Sequence, residues 1–483
     1  MPFFGWSTAS LPIRQARHRV MDALPGSGDG RMASIRCRSP IVSGKTGQSL
    51  EGQRSYGGCE SIMPVENNFQ HAEYSRADPG ARGAYPEFEA GPALESPAWQ
   101  EGMGKAGSRL EQASVRAVIF FHGSCLNSDP FGVQRLDEAG GLKRGYSRGI
   151  PGVDGLLALM RQETNGMPAL PGDWKPPFPL GEETGALLDQ HALDGGNFSN
   201  AYVSQFKKAV NRVTQRAILC RRWLWSSEHH HLGRTLAACE FLDRLVALNE
   251  ELRLGAGDRV LVYAHGQAGV VLALLSNMLA SSKSATRDRL LQFLQEYLAQ
   301  ATGHDEVKAA CERAISRLGA GAPLQGVGLD VVTFGTPIRY GWDLSGIGRL
   351  MHVVNHRMMR PDAKRWLAKM ELPQITMEMP IAWGGDYIQQ LAVAGSDAVP
   401  EGDLGRAANK AVWELLEPYD GFERWLECAR RAVRCANDGH CALVDYKDAG
   451  SSYSRDHFFG HAAYTRQQAM LFNTALVAST LYP

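Results

Sequence analysis

Val262 to Leu279 read "VYAHGQAGVVLALLSNML". A β-branched and aromatic run enters Ala-His-Gly-Gln-Ala, and a helix apolar nearly all round follows with no linker between them. A strand apolar on both faces has to be covered on both faces, as it is inside a parallel sheet. A helix apolar on every side has to be buried too. The residues joining them leave room only for a sharp turn. This stretch therefore calls for an α/β fold with the strand–turn–helix unit near its centre.

The remaining strands read in the same way. "SVRAVIFFHG" carries a continuous apolar run from Val115 to Phe121, and "DRVLVYAHG" and "LDVVTFGTP" carry two more. "LCRRWLWSS", "RLMHVVNHR", "QQLAVAGSD" and "CALVDYKD" supply the other candidates. Between them lie "NAYVSQFKKAVNRVTQRAI", with helical period, and a helix with Ala238, Phe241, Leu242, Leu245, Leu248 and Leu252 on one face. Strands alternating with helices predict a mostly parallel central sheet with helices on both faces. The expected domain spans residues 114–483, with insertions at about 126–196 and 283–318.

Residues 1–113 read differently, being rich in Gly, Ser, Pro, Arg and Glu without sustained period. Such a segment buries too little apolar surface to offset its ordering entropy, so it is expected to be disordered or poorly ordered. A chain starting near residue 110 should then still fold. Met63 and Met103 are alternative starts.

Fifty-one Lys and Arg against 51 Asp and Glu argue against capture of nucleic acid, which needs a basic surface. No run approaches the roughly 20 apolar residues of a membrane span, and the N-terminus lacks the apolar core of a secretory signal. The expected location is cytoplasmic, with signal-independent export left open. Nine cysteines lack the paired spacings of zinc sites. Cys428, Cys435, Cys441 and His440 match no common template, and reduced thiols are the simpler reading. "SSEHHHLGR" invites a metal through His229 and His231, with Glu228 and His265 nearby, but polar lining of a cleft fits it better. No cofactor and no metal is called for.

Five pieces follow in fixed order: "IFFHGS", "WLWSSEHHHLGR", "VYAHGQAGVV", "VVTFGTP", and an acidic strand end followed by "GHAAYT". Over residues of about 115 to 475 this order resembles the α/β-hydrolase superfamily, in its lipase and esterase-like branch. In that family a nucleophilic serine sits in Gly-x-Ser-x-Gly on a sharp strand-to-helix turn. Here Ala264 and Ala268 take the glycine positions, and Gly266 takes the serine position. Glycine has no atom to attack with.

The resemblance implies oxyanion-hole amides at Gln267 and Ser124, and a base at His461, with His457 as its neighbouring competitor. It implies an acid at Asp397 in "AVAGSDAVP", with Asp386 and Asp343 as alternatives. Ser124, Cys125 and Ser227 could in principle replace the missing nucleophile, but none sits on such a turn. The function implied is a scaffold acting on carboxylic esters, small-molecule or lipid, nearly silent as written. The second reading is a non-catalytic interaction protein of the same fold, linked to bacterial secretion or antagonism, with an unknown protein partner.

Overall fold

The computed structural model describes chiefly residues 91–123, 197–281, 284–357, 381–391, 402–416, 438–447 and 457–483. Six strands form its centre: β2 (Val115–Phe121), β3 (Leu219–Trp223), β4 (Arg259–His265), β5 (Gly328–Phe334), β6 (Arg349–Asn355) and β7 (His440–Val444). A two-residue strand, β1 (Gly83–Ala84), extends the edge beside β7. The order across the sheet is β1-β7-β6-β5-β4-β2-β3, and every pairing is parallel. From β4 the chain builds outward through β5, β6 and β7, while β2 and β3 close its other side.

Side-chain alternation sorts the strands onto two cores. Ile119, Phe121, Val260, Val262, Ala264 and Val331 face one side. There they meet α3 (His231–Leu252) and α4 (Gln267–Leu279), the helix read as apolar all round. Val118, Phe120, Leu261, Tyr263 and Val332 face the other side, toward α1 (Pro97–Gln112), α2 (Asn200–Val210) and α9 (Met470–Leu481). At its middle, Phe120 meets Phe206, Phe198, Tyr263 and Tyr202 edge-on, with ring centroids 5.0, 5.2, 5.5 and 5.8 Å away. Such edge-to-face pairs suit the ring quadrupole.

The charged stretch before β5 forms two helices, α5 (Ala285–Gln300) and α6 (Asp305–Ala320). Asp243 of α3 anchors α6 by accepting from Arg313 Nη2 at 2.7 Å and Arg317 Nη1 at 2.6 Å. Two further helices are α7 (Tyr387–Leu391) and α8 (Gly402–Leu416). Among the described residues no helix is long and apolar enough to cross a membrane.

Two expectations need correction. The irregular segment expected through residue 113 instead ends in α1, whose Trp99, Met103 and Leu110 are buried in the second core. Its glycines at 102, 104 and 107 blur the apolar period. The start signal is nevertheless written in the chain: Ser96 caps the helix by accepting from Trp99 N, and Pro97 opens it. The second concerns "QQLAVAGSD", whose first three residues end the short helix α7 rather than forming a strand. Residues 392–399 lie outside the described residues.

Because α1 covers the second core, a chain beginning near residue 110 should not fold as expected from sequence. Such a truncation should unfold without cooperativity and bind hydrophobic dye, unlike the full chain. Met103→Ala in the full chain should cost about 2 to 5 kcal/mol, the range for a large buried side chain cut to alanine, read from the urea midpoint.

Candidate functional site

Parallel strands deliver all their carboxyl ends to one edge of the sheet. There β4 ends at His265 and α4 begins at Gln267, leaving Gly266 alone to turn the chain. Its backbone sits at φ 52° and ψ −122°, a region open to glycine and costly for other residues. The turn is fixed from both sides. Gly266 N donates to Phe334 O at 2.8 Å, and Thr336 Oγ1 donates to Gly266 O at 2.8 Å. α4 has no side-chain cap at its N-terminus, and within its first turn Gly269 N donates to Gly266 O at 3.1 Å.

Facing this turn is His461, which is only 5% exposed. A Cβ placed on Gly266 would lie 2.7 Å from His461 Nε2. The other ring nitrogen, Nδ1, lies 2.7 Å from Asp386 Oδ2. A carboxylate only accepts, so Nδ1 donates to Asp386 and Nε2 is the ring nitrogen turned toward Gly266. Asp386 is fully buried and multiply held. Tyr464 Oη donates to Oδ2 at 2.7 Å, and Gln389 N donates to Oδ1 at 2.8 Å.

The loops that carry acid and imidazole meet at Asn355, the last residue of β6. Its carbonyl accepts from Asp386 N at 2.8 Å, its amide donates to Tyr464 Oη at 2.7 Å, and its Nδ2 donates to Gly460 O at 2.9 Å. Gly335, at φ 60° after β5, leaves the space between them open. A Cβ there would come within 2.5 Å of Asp386 Oδ2 and 3.0 Å of His461 Cε1. His265 supports the imidazole loop from below. Its Nε2 donates to His461 O at 3.0 Å, and the two ring centroids are 4.2 Å apart.

The structure thus brings Gly266, Gln267, His461 and Asp386 together. Asp397 and Ser124 lie outside the described residues, as does Cys125. The carboxylate against His461 is Asp386, the alternative from "GGDYIQ". Asp343 is occupied elsewhere, accepting from Ser345 N at 2.9 Å in a short 3₁₀ turn. His457, buried, precedes the 3₁₀ turn Phe458–Gly460 that leads to His461.

The histidines of the polar run after β3 are buried and engaged in local contacts. His230 caps α3 by accepting from Gly233 N at 2.8 Å. His231 Nδ1 bonds Tyr340 Oη at 2.7 Å, and His229 stacks on Trp225. Among the described residues no group of three or more His, Cys, Asp or Glu is placed to hold a metal ion. Ser227 Oγ lies 3.2 Å from His122 Nε2, and His122 Nδ1 lies 3.4 Å from Trp223 O. The carbonyl fixes Nδ1 as donor, so Nε2 accepts from the serine. His122 is fully buried, and desolvation, helped by the Arg222 charge, pushes its pKa down from 6.5 to about 3.

Comparison of the chain with protein-family models, with curated proteins and with solved structures finds no match.

The depressed pKa of His122 has a sign that can be measured. Below 6.5 the unfolded chain takes up a proton at this residue that the folded protein refuses until about 3. Its contribution to stability is therefore complete above that window and shrinks as pH falls through it, by about 1.4 kcal/mol per unit at most. The imidazole ¹⁵N shifts of His122 should show no inflection above about pH 4. Replacing it by Asn should flatten the acid side of the stability profile.

Proposed function

We propose that this chain is an α/β-hydrolase-fold scaffold of the lipase and esterase kind, built for carboxylic esters of small molecules or lipids, with the nucleophile's place taken by Gly266. The observation that carries the reading is the imidazole of His461, held by Asp386 and aimed at the Cβ position of Gly266. The chain order of turn residue, acid and histidine is that of the α/β-hydrolase triad. Asp386 takes the acid's part here, since it fixes the tautomer that leaves Nε2 free to accept a proton.

In an active version, a hydroxyl on residue 266 would pass its proton to Nε2 while its oxygen attacked the ester carbonyl. The Gln267 amide, opening α4, would steady the resulting oxyanion with help from the helix dipole. Leaving-group oxygen would then recover the proton from His461, and water would release the acyl group by the same route. Glycine removes the first of these steps and with it the acyl intermediate on which the later ones depend, while the imidazole, its carboxylate and the Gln267 amide stay in place. A nucleophile's loss typically costs about a millionfold in turnover.

Gly266→Ser is therefore expected to raise hydrolysis of activated short- and medium-chain esters by several orders of magnitude, and to make residue 266 label with a fluorophosphonate. The imidazole of His461 has to shift by a few tenths of an ångström against its bond to Asp386 to admit Cβ, and the turn takes up the strain of a side chain at positive φ. Adding His461→Ala should abolish the gain, and Asp386→Asn should cut it about 10⁴-fold. A folded Gly266→Ser protein that neither hydrolyses nor labels would remove the hydrolase reading.

A further inference from the structure

We infer that the outer edge of the sheet carries a second binding site, apart from the Gly266 turn, which takes a small aromatic carboxylate between β3 and the second half of α3. It does not rest on the hydrolase reading.

The site arises from one charged residue in an apolar row. Among the described residues β3 is the last strand on its side of the sheet. Leu219, Arg221 and Trp223 alternate onto the side that faces α3, where Leu219 and Trp223 pack against the first core. Arg221 has no means of burying its guanidinium there. Its stem runs out to the surface, and its head grips Glu251 at two points, Nη1 to Oε2 at 2.7 Å and Nη2 to Oε1 at 2.5 Å. The space behind it stays open as a cavity of about 220 Å³.

Ile119, Trp223, Phe241, Leu245 and Leu248 wall this cavity. The α3 members, with Arg244 and Glu251, recur at steps of three and four residues and so share one helix face. Trp223 is braced from behind by Phe121 and Phe241, with ring centroids 4.3 and 4.7 Å away. Arg222 also lines the cavity, but Asp189 Oδ1 accepts from its Nη1 at 2.7 Å. Arg244 is different. It is exposed at the rim and makes no ion pair with the described residues. Glu240, one turn earlier, feels its charge without bonding it.

An apolar cavity with one guanidinium open at its mouth selects an apolar body that bears one negative charge. A carboxylate meets the planar fork of an arginine through two parallel charge-assisted bonds, which an amide does not reproduce. Size sets the body. A cavity of roughly 150 Å³ admits benzene, so the volume here takes one ring with a short acidic arm, the outline of an arylacetate. A rigid ring also gives up less freedom on binding than a flexible chain. An inward charge on an edge strand discourages pairing with another chain. That accounts for Arg221, but not for Arg244 or for the cavity that both of them line.

The full chain can be titrated with para-fluorophenylacetate by fluorine NMR at about pH 7.5, where the acid is ionised, and with para-fluorophenylacetamide as its uncharged counterpart. The acid should bind saturably, and the amide about tenfold more weakly. Arg244→Met keeps an apolar stem and removes the charge, so it should bring the acid down to the amide's affinity and leave the amide unchanged. Leu248→Trp, checked for folding by circular dichroism, should fill the cavity and abolish binding of both. His461→Gln should change neither. Absence of saturable binding, a preference for the acid that survives Arg244→Met, binding that survives a folded Leu248→Trp, or binding lost with His461→Gln would each overturn the inference. If Leu248→Trp does not fold, the Arg244→Met comparison decides alone.

Discussion

Six strands running in one direction impose the constraint on which the rest depends. Parallel pairing needs both faces covered, so each strand is apolar along its length and polar chemistry is pushed to the strand ends. At the carboxyl edge, the ends of β2, β4, β5 and β6 place His122, Gly266, Gly335 and Asn355 within reach of one another's loops. The site is not carried by any one element. It is what remains when four buried strands stop together.

Within that edge, Asn355 does for the loops what the sheet does for the strands. Through backbone and side chain it bonds the segment before α7 and the segment after β7. Asp386 and His461 are therefore positioned from a common point. His265 adds a second tie to the imidazole loop from β4. Accurate relative placement of acid and imidazole then follows from a few bonds to rigid strands, although the residues themselves sit on loops.

Much of this was readable from sequence, for physical reasons that also explain what was not. β2, β4 and β5 announce themselves because a doubly buried strand leaves a continuous apolar run. The turn at Gly266 was legible because small residues separate such a run from an apolar helix, and His461 because it follows the last strand. α1 was hidden, since Gly102, Gly104 and Gly107 trade apolar signal for close approach, although Ser96 and Pro97 marked its start. The partner of His461 was hard to choose for a different reason. Asp386 reaches it only because the chain returns to pair with Asn355, a contact that no local pattern near residue 386 records.

Gly266 also has a thermodynamic meaning. Its backbone, at φ 52° and ψ −122°, lies where an L-residue stores about 1 to 3 kcal/mol of strain, and glycine stores almost none of it. Any side chain placed at 266 would therefore be held under tension by the turn itself, and the site as it stands is the relaxed form.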